Sequence, residues 1–358
     1  MATWLKRRAG YHTVLLGKYL NGYPGDMRRS YVPRGWDEWY ARLGPTNEYD
    51  YYDYHLIENG HAVHYGTAER DYYTDVLSRK ARAYVSRRAP KAQPFFVYLS
   101  VGAPHGPVTS AKRHRDMFSN VPLPRPPSFN EKDISDKPSG VRNKKRLDGE
   151  DIRELAVWYR NRLRTLQAVD EMVAGLVSEL RQQGELDNTY IFFTSDNGFH
   201  LGEHRLALLK RTPYEEAIRV PLVVLGPDVS AGMIRREFAL NIDFAPTFTD
   251  LARTSAPSFA DGRSLRPLLR RGTPPSWRTV FLLEFDKWGR TYGVRTAQRK
   301  YVEYQSGFRE LYDMETDPYE LDNGYSAAEP TLVARLHSRL KALRACAGQS
   351  CRDTEDEP

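Results

Sequence analysis

The chain has 358 residues, 40% of them hydrophobic and 28% charged, with a formal net charge of +7 at pH 7. That length can bury a large core in one large or two moderate domains, and the composition excludes a disordered or membrane-embedded chain. No apolar run reaches the roughly eighteen residues that a membrane helix needs, and the opening MATWLKRRAGYHTVLLGKYL lacks the apolar stretch and cleavage site of a signal peptide.

The basic excess suits an anionic ligand, because a basic cleft concentrates anions; a solvated Arg-rich surface would give the same total. Basic residues do not gather into a nucleic-acid-binding module, so no nucleic-acid partner is expected. Only Cys346 and Cys351 are present. Two cysteines exclude a disulfide framework and leave free thiols or a small local loop.

In chain order, four short runs rich in Val, Ile, Phe and Tyr predict strands covered on both faces: Thr13–Leu16, Pro94–Val101, Tyr190–Thr194 and Val220–Leu225. Between the second and third, Leu155, Trp158, Leu163, Leu166, Val169, Val173, Leu176 and Leu180 recur mostly at steps of three or four. That spacing predicts a helix over about Asp151 to Gln183, stopped by Gly184. Pro122 to Asp148, rich in Pro, Lys, Arg and Asp without periodicity, predicts a long surface loop. Strand, helix, strand, helix in succession argues for an α/β sheet sandwiched by helices.

After about Gly272 the pattern changes. Val280–Glu284, Tyr292–Arg295 and Lys300–Tyr304 predict a small antiparallel sheet, with a helix over roughly Pro330–Ala345. The expected division is a core over residues 1–271, a C-terminal α+β subdomain over 272–345, and a disordered acidic tail over 346–358.

Polar residues close three of these strands: Lys18 after VLLG, His105 in SVGAPHGP, and Asp196-Asn197 after YIFFT. In open α/β sheets, ligand sites lie beyond the carboxyl ends of strands. Asp and Asn oxygens are hard donors suited to Ca²⁺ or Mg²⁺. Lys18 and Lys210 could neutralise an oxyanion, and His105 could pass a proton to a leaving oxygen. SDNG is also a favourable turn, and APHGP could be a Pro-stiffened loop with an exposed His. His200-Leu-Gly-Glu203-His204 has the lettering of a zinc protease, which needs a helix to put both imidazoles on one face. Gly202 inside it and Gly198 before it argue against that helix.

TYIFFTSDNGFHLGEHRLALLKRTPYEEAIRVPLVVLGP closely resembles the metal-site segment of type I sulfatases, in the alkaline-phosphatase superfamily. GYHTVLLGKYLNGY, PFFVYLSVGAPHGP, TLQAVDEMVAGLVSEL, DFAPTFTDLA, DGRSLRPLL, VRTAQRKYVEY and ELYDMETDPYELDN resemble family segments in the same order. YVPRGWDEWYARL and YYDYHLIENG look more like the N-acetylglucosamine-6-sulfatase branch. The resemblance implies an alkaline-phosphatase-like mixed sheet, a sulfated carbohydrate as substrate, and export from the cytoplasm.

It also implies a Ca²⁺ cofactor held in part by Asp196 and Asn197, with Lys18 and Lys210 on the sulfate oxygens and His105 on the leaving alcohol. A phosphodiesterase or phosphonate hydrolase of the same superfamily, or a non-catalytic binder of sulfated glycans, would share much of this pattern. The family nucleophile is a formylglycine made in a Cys/Ser-x-Pro-x-Arg motif. Here only Ser255-Ala-Pro-Ser-Phe259 imitates that motif, with Phe259 in place of Arg. The family's paired Asp ligands, expected with the nucleophile on an upstream strand, are not among these residues either. The chain alone is therefore expected to be inactive or very weak, its Ca²⁺ site incomplete and a sheet edge unpaired.

Overall fold

The apolar run around Val14 forms strand β1 (His12–Gly17), whose last five residues are all buried. The computed structural model describes residues 1–44, 50–272, 274 and 276–357. They fall into two compact units: residues 1–122 with 156–190 and 248–255, and residues 123–155 with 191–247 and 256–358.

In the first unit, β1 is joined by β2 (Glu38–Arg42), β3 (Tyr54–Glu58), β4 (His61–Tyr65) and β5 (Phe95–Ser100) in the order β4-β3-β2-β1-β5. β1 runs parallel to β2 and β5, whereas β3 and β4 continue antiparallel, so the sheet is mixed as expected. After helix α1 (Ala2–Ala9), helix α2 (Tyr73–Arg88) packs on β1 and β5. It turns Tyr73, Val76, Leu77, Ala81, Tyr84 and Val85 inward, the three-and-four spacing of an apolar helical stripe.

The long helix α3 (Gly149–Gln182) matches the expected span to within two residues. Asp148 caps it, its Oδ1 accepting from the amides of Glu150 and Asp151 at 2.8 and 3.0 Å, which satisfies two otherwise orphaned donors. Gly184, at φ 72°, closes the far end in a left-handed conformation that glycine adopts without penalty. In the first unit Ala168, Val169 and Met172 of α3 pack with Tyr51 and Tyr72. β5 is the outer strand of its sheet, and its Tyr98 is 42% exposed.

In the second unit, β6 (Ile191–Thr194) pairs antiparallel with β9 (Leu222–Leu225), and β7 (His200–Leu201) with β8 (Ala207–Leu209). The chain then enters helix α4 (Phe244–Leu251). The expected antiparallel sheet is present as four strands: β10 (Val280–Phe285), β11 (Thr291–Thr296), β12 (Arg299–Tyr304) and β13 (Arg309–Asp313). Helix α5 (Pro330–Ala345) lays Leu336, Leu340 and Leu343 on Val280, Val294, Tyr301 and Leu311 of that sheet.

Two expectations need correction. Residues 122–148 are not simply a surface loop: Leu123, Ile134 and Val141 are buried, and Lys137 is fully enclosed against Asp136 and the Leu321 carbonyl. Their apolar positions are too irregular to show a period. The acidic tail is also ordered through residue 357, Pro358 lying outside the described residues. Cys346 is joined by a disulfide to Cys351, which lies within helix α6 (Gln349–Asp356). Glu355 of α6 is buried and accepts from Arg263 and Arg278 at 3.1 and 3.0 Å. The buried carboxyl is thus matched by two guanidinium groups, as a buried charge requires.

Closing a loop of five residues removes roughly 2 kcal/mol of unfolded-state entropy. A Cys346→Ser/Cys351→Ser chain should therefore unfold in urea with a free energy lower by about that amount. An unchanged midpoint would show that α6 is held without the disulfide.

Candidate active site

Lys18 and His105 come from neighbouring strands of one sheet. Gly17, the last residue of β1, pairs with Ser100, the last of β5, so both polar residues leave at the carboxyl ends of parallel partners. The strands approach closely there. A Cβ on Gly17 would sit 1.8 Å from the Ser100 carbonyl oxygen, and Gly17 has φ 109°, so only glycine fits. The Lys18 amide donates to the same carbonyl at 2.7 Å, fixing the backbone from which its side chain departs.

The His105 loop is held from outside. The Tyr51 hydroxyl donates to the His105 carbonyl at 2.8 Å, and the His105 amide donates to Gly102 at 2.8 Å. His105 Nδ1 lies 2.9 Å from the Gly106 carbonyl oxygen. A carbonyl only accepts, so Nδ1 carries a proton.

In the second unit, Asp196 and Asn197 follow β6 in a tight turn. Asp196 Oδ1 accepts from the Asn197 amide at 3.0 Å, and the Ser195 hydroxyl donates to the Asn197 carbonyl at 3.0 Å. Asn197 Nδ2 donates to the Gly198 carbonyl at 2.8 Å, which turns Oδ1 the other way, and Lys210 Nζ reaches that oxygen at 3.4 Å. Gly198 is required by proximity, since a Cβ there would lie 2.0 Å from the Glu216 carbonyl oxygen. The amides of Gly198 and Phe199 donate to Ala217 and Glu216 at 2.9 and 2.7 Å. Asp196, Asn197 and Lys210 are thus brought together in one unit, and Lys18 and His105 in the other.

Four non-glycine residues on either side of Lys210 have left-handed backbones: His204, Arg205, Leu208 and Arg211, at φ 50°, 58°, 53° and 68°. Strain of that kind gathers where a side chain must be aimed.

His200 and His204 do not form a zinc helix. His200 lies on β7, the turn to β8 passes through Gly202 at φ 115°, and both imidazoles are fully buried. They line no open pocket, and they face different partners. His200 Nε2 meets the Thr212 hydroxyl at 2.7 Å, whereas His204 Nδ1 meets Glu131 Oε2 at 2.6 Å and its ring stacks on Tyr214 at 4.2 Å. Burial pushes both histidines down to about 3 and pushes Glu131 and Glu216 up to about 7, so the cluster favours uncharged forms. The sequence pattern gave no sign of Glu131 or Glu216 as partners, because buried carboxylates have no periodicity of their own.

Among the described residues no group of three or more His, Cys, Asp or Glu is arranged to hold a metal ion. Asp196 and Asn197 fit Ca²⁺ in kind, as two hard oxygen donors, but supply only two of the six to eight that the ion takes.

The family model for sulfatases matches residues 1–254, and that for the C-terminal part of N-sulphoglucosamine sulphohydrolase matches residues 202–346. N-acetylglucosamine-6-sulfatase of Bos taurus is 34% identical over 97% of this chain and 69% of its own length. The chain belongs to the sulfatase family.

The solved structure of BT4656, in complex with its substrate D-glucosamine-2-N,6-O-disulfate, superposes with a TM-score of 0.83. It is 28% identical and covers 99% of this sulfatase and 83% of the other chain. Phosphonate monoester hydrolase of Agrobacterium radiobacter shares the fold at a TM-score of 0.72 and 21% identity, covering 96% of this chain and 79% of its own. The mixed sheet and separate antiparallel sheet are thus the alkaline-phosphatase-like architecture expected from the sequence.

The buried histidines contribute an acid-sensitive share of the stability, which the raised Glu131 and Glu216 oppose. His200 stays neutral in the folded protein down to about pH 3 but takes a proton near 6.5 when unfolded. At this group the unfolded state then binds more protons between those values, and its contribution to stability falls as pH drops through that window. His200→Gln should make the slope of unfolding free energy against pH less positive by up to about 1.4 kcal/mol per pH unit. Urea unfolding between pH 7 and pH 4 measures this, and a variant with the parent's slope would show that His200 is not held neutral.

Proposed function

We propose that this chain carries the substrate- and cation-binding groups of a sulfuric ester hydrolase that acts on 6-O-sulfated N-acetylglucosamine units of glycans through a formylglycine and Ca²⁺ mechanism. One observation carries the reading. Lys210 Nζ lies 3.4 Å from Asn197 Oδ1, beside Asp196, in a chain 34% identical to N-acetylglucosamine-6-sulfatase over 97% of its length.

In this reading the ammonium groups of Lys18 and Lys210 hold sulfate oxygens, where positive charge offsets the charge that builds during S–O cleavage. His105 acts at the alcohol side. Its Nδ1 proton is committed to the Gly106 carbonyl, so Nε2, when protonated, is the donor to the departing oxygen. Asp196 and Asn197 supply two oxygens to the cation, and bound Ca²⁺ adds positive charge against the sulfate group. The nucleophile is a different matter. Ser255-Ala-Pro-Ser-Phe259 lacks the arginine of the formylglycine motif, and no other Cys/Ser-x-Pro-x-Arg occurs in these 358 residues. By themselves they bind the sulfated sugar without turning it over.

Calorimetry in Ca²⁺ tests both halves. N-acetylglucosamine 6-sulfate should bind at least tenfold more tightly than N-acetylglucosamine. Lys210→Ala should lose about tenfold for the sulfated sugar only, the worth of one charge-assisted hydrogen bond. Equal affinity for the two sugars overturns the assignment, and tighter binding of a phosphonate ester transfers it to phosphonate hydrolysis. Sulfate release from 4-nitrocatechol sulfate by the purified chain would overturn the lack of turnover.

A further inference from the structure

A groove of about 520 Å³ opens in the second unit among β12, the start of β13, the turn Gly324–Ala327 and the first turns of α5. None of its lining residues belongs to the site above. Tyr325, 37% exposed, stacks its ring on Tyr301 at 6.4 Å and 28°, giving the groove an aromatic side. Pro330, Val333 and Ala334 add an aliphatic side.

The polar groups are fixed rather than floppy. Glu303 Oε1 accepts from the Tyr301 hydroxyl at 2.8 Å and faces His337 Nδ1 at 2.6 Å, while Arg309 Nη2 lies 3.5 Å from Oε2. Arg309 is further anchored by donating to the Tyr304 and Phe308 carbonyls at 3.3 and 3.0 Å. Glu303 is only 13% exposed, yet its partner His337 is 55% exposed at the rim.

An aromatic face beside a few convergent, pre-positioned polar groups in a concave surface is what small-molecule recognition requires. A pyranose ring meets those terms: its C–H face lies on an aromatic ring, and its hydroxyls exchange hydrogen bonds with carboxylate, guanidinium and imidazole. Arg309 is a permanent cation in the lining and suits a ring that bears an acidic substituent. We propose that this groove is a second saccharide site, taking an acidic pyranose unit independently of the residues assigned to sulfate. The proposal goes beyond the sulfatase reading and does not rest on it.

The test uses the full chain and an unsulfated tetrasaccharide of alternating glucuronate and N-acetylglucosamine, which offers carboxylates but no sulfate. Calorimetry should show binding that weakens at least fivefold in Tyr325→Ala and in Arg309→Gln. Tyr325→Phe, which keeps the ring, should retain it. Saturating N-acetylglucosamine 6-sulfate, which fills the sulfate site, should leave it unchanged. Urea midpoints of the variants separate lost binding from lost folding. The proposal is overturned by an absence of binding, by binding that survives both groove variants, or by binding that N-acetylglucosamine 6-sulfate displaces. Equal affinity for the neutral tetramer of N-acetylglucosamine would overturn the preference for an acidic ring.

Discussion

The buried ammonium of Lys300 organises much of the second unit. Lys300, on β12, has no exposed surface, and a buried charge is tolerated only when it is paired and hydrogen-bonded. Its Nζ donates to the Pro213 carbonyl at 2.9 Å and to Glu320 at 2.6 Å, and lies 2.9 Å from Glu215. These contacts pin residues 213–216 to the antiparallel sheet. Glu320 Oε2 tightens the hold by accepting from the Glu215 amide at 2.8 Å. The pinned segment does the rest. Its Glu216 carbonyl takes the Phe199 amide, its approach excludes any side chain at Gly198, and its Tyr214 covers His204. The turn that bears Asp196 and Asn197 is therefore positioned by a lysine a hundred residues later in the chain.

Glu310 extends the same logic on β13. It is fully buried and accepts from the hydroxyls of Tyr214, Tyr304 and Tyr312 at 2.8, 2.5 and 2.7 Å. Three donors on one carboxyl group leave few lone pairs unsatisfied. Removing any one partner would strand a polar group in a low dielectric, which costs more than the bond itself contributes. Such a core specifies one arrangement of β12, β13 and residues 213–216. A purely apolar core of equal volume would tolerate several.

The first unit solves its positioning problem with backbone instead of charge. Gly17 lets β1 press against β5, so the segments that carry Lys18 and His105 leave the sheet from the paired residues Gly17 and Ser100. This half was legible in the sequence: short apolar runs ending in a polar residue announce strands and their carboxyl ends, and the pattern depends only on near neighbours. The network around Lys300 was not. Lys300, Glu310 and Glu320 look like the solvated residues of alternating strands and turns, and Lys137 hides in a Pro- and Lys-rich stretch. Each is buried with at least one partner 20 to 184 residues away, which no local period records. The acidic tail misled for the same reason, because Glu355 is matched by Arg263 and Arg278 from another part of the chain.

The lettering His200-Leu-Gly-Glu203-His204 makes the point at atomic scale. On a helix the two imidazoles would share a face; here they belong to a strand and a left-handed turn, and each is spent on a neighbour. Glu203 is spent too, its carboxylate accepting from the Leu201 amide at 2.6 Å across the turn. These three residues close the β7–β8 hairpin from within. Lys210 begins one residue after β8, so its approach to Asn197 depends on that closure. Residues that spelled out a metal site thus serve to aim a lysine, and the backbone conformation, not the letters, decides between the two.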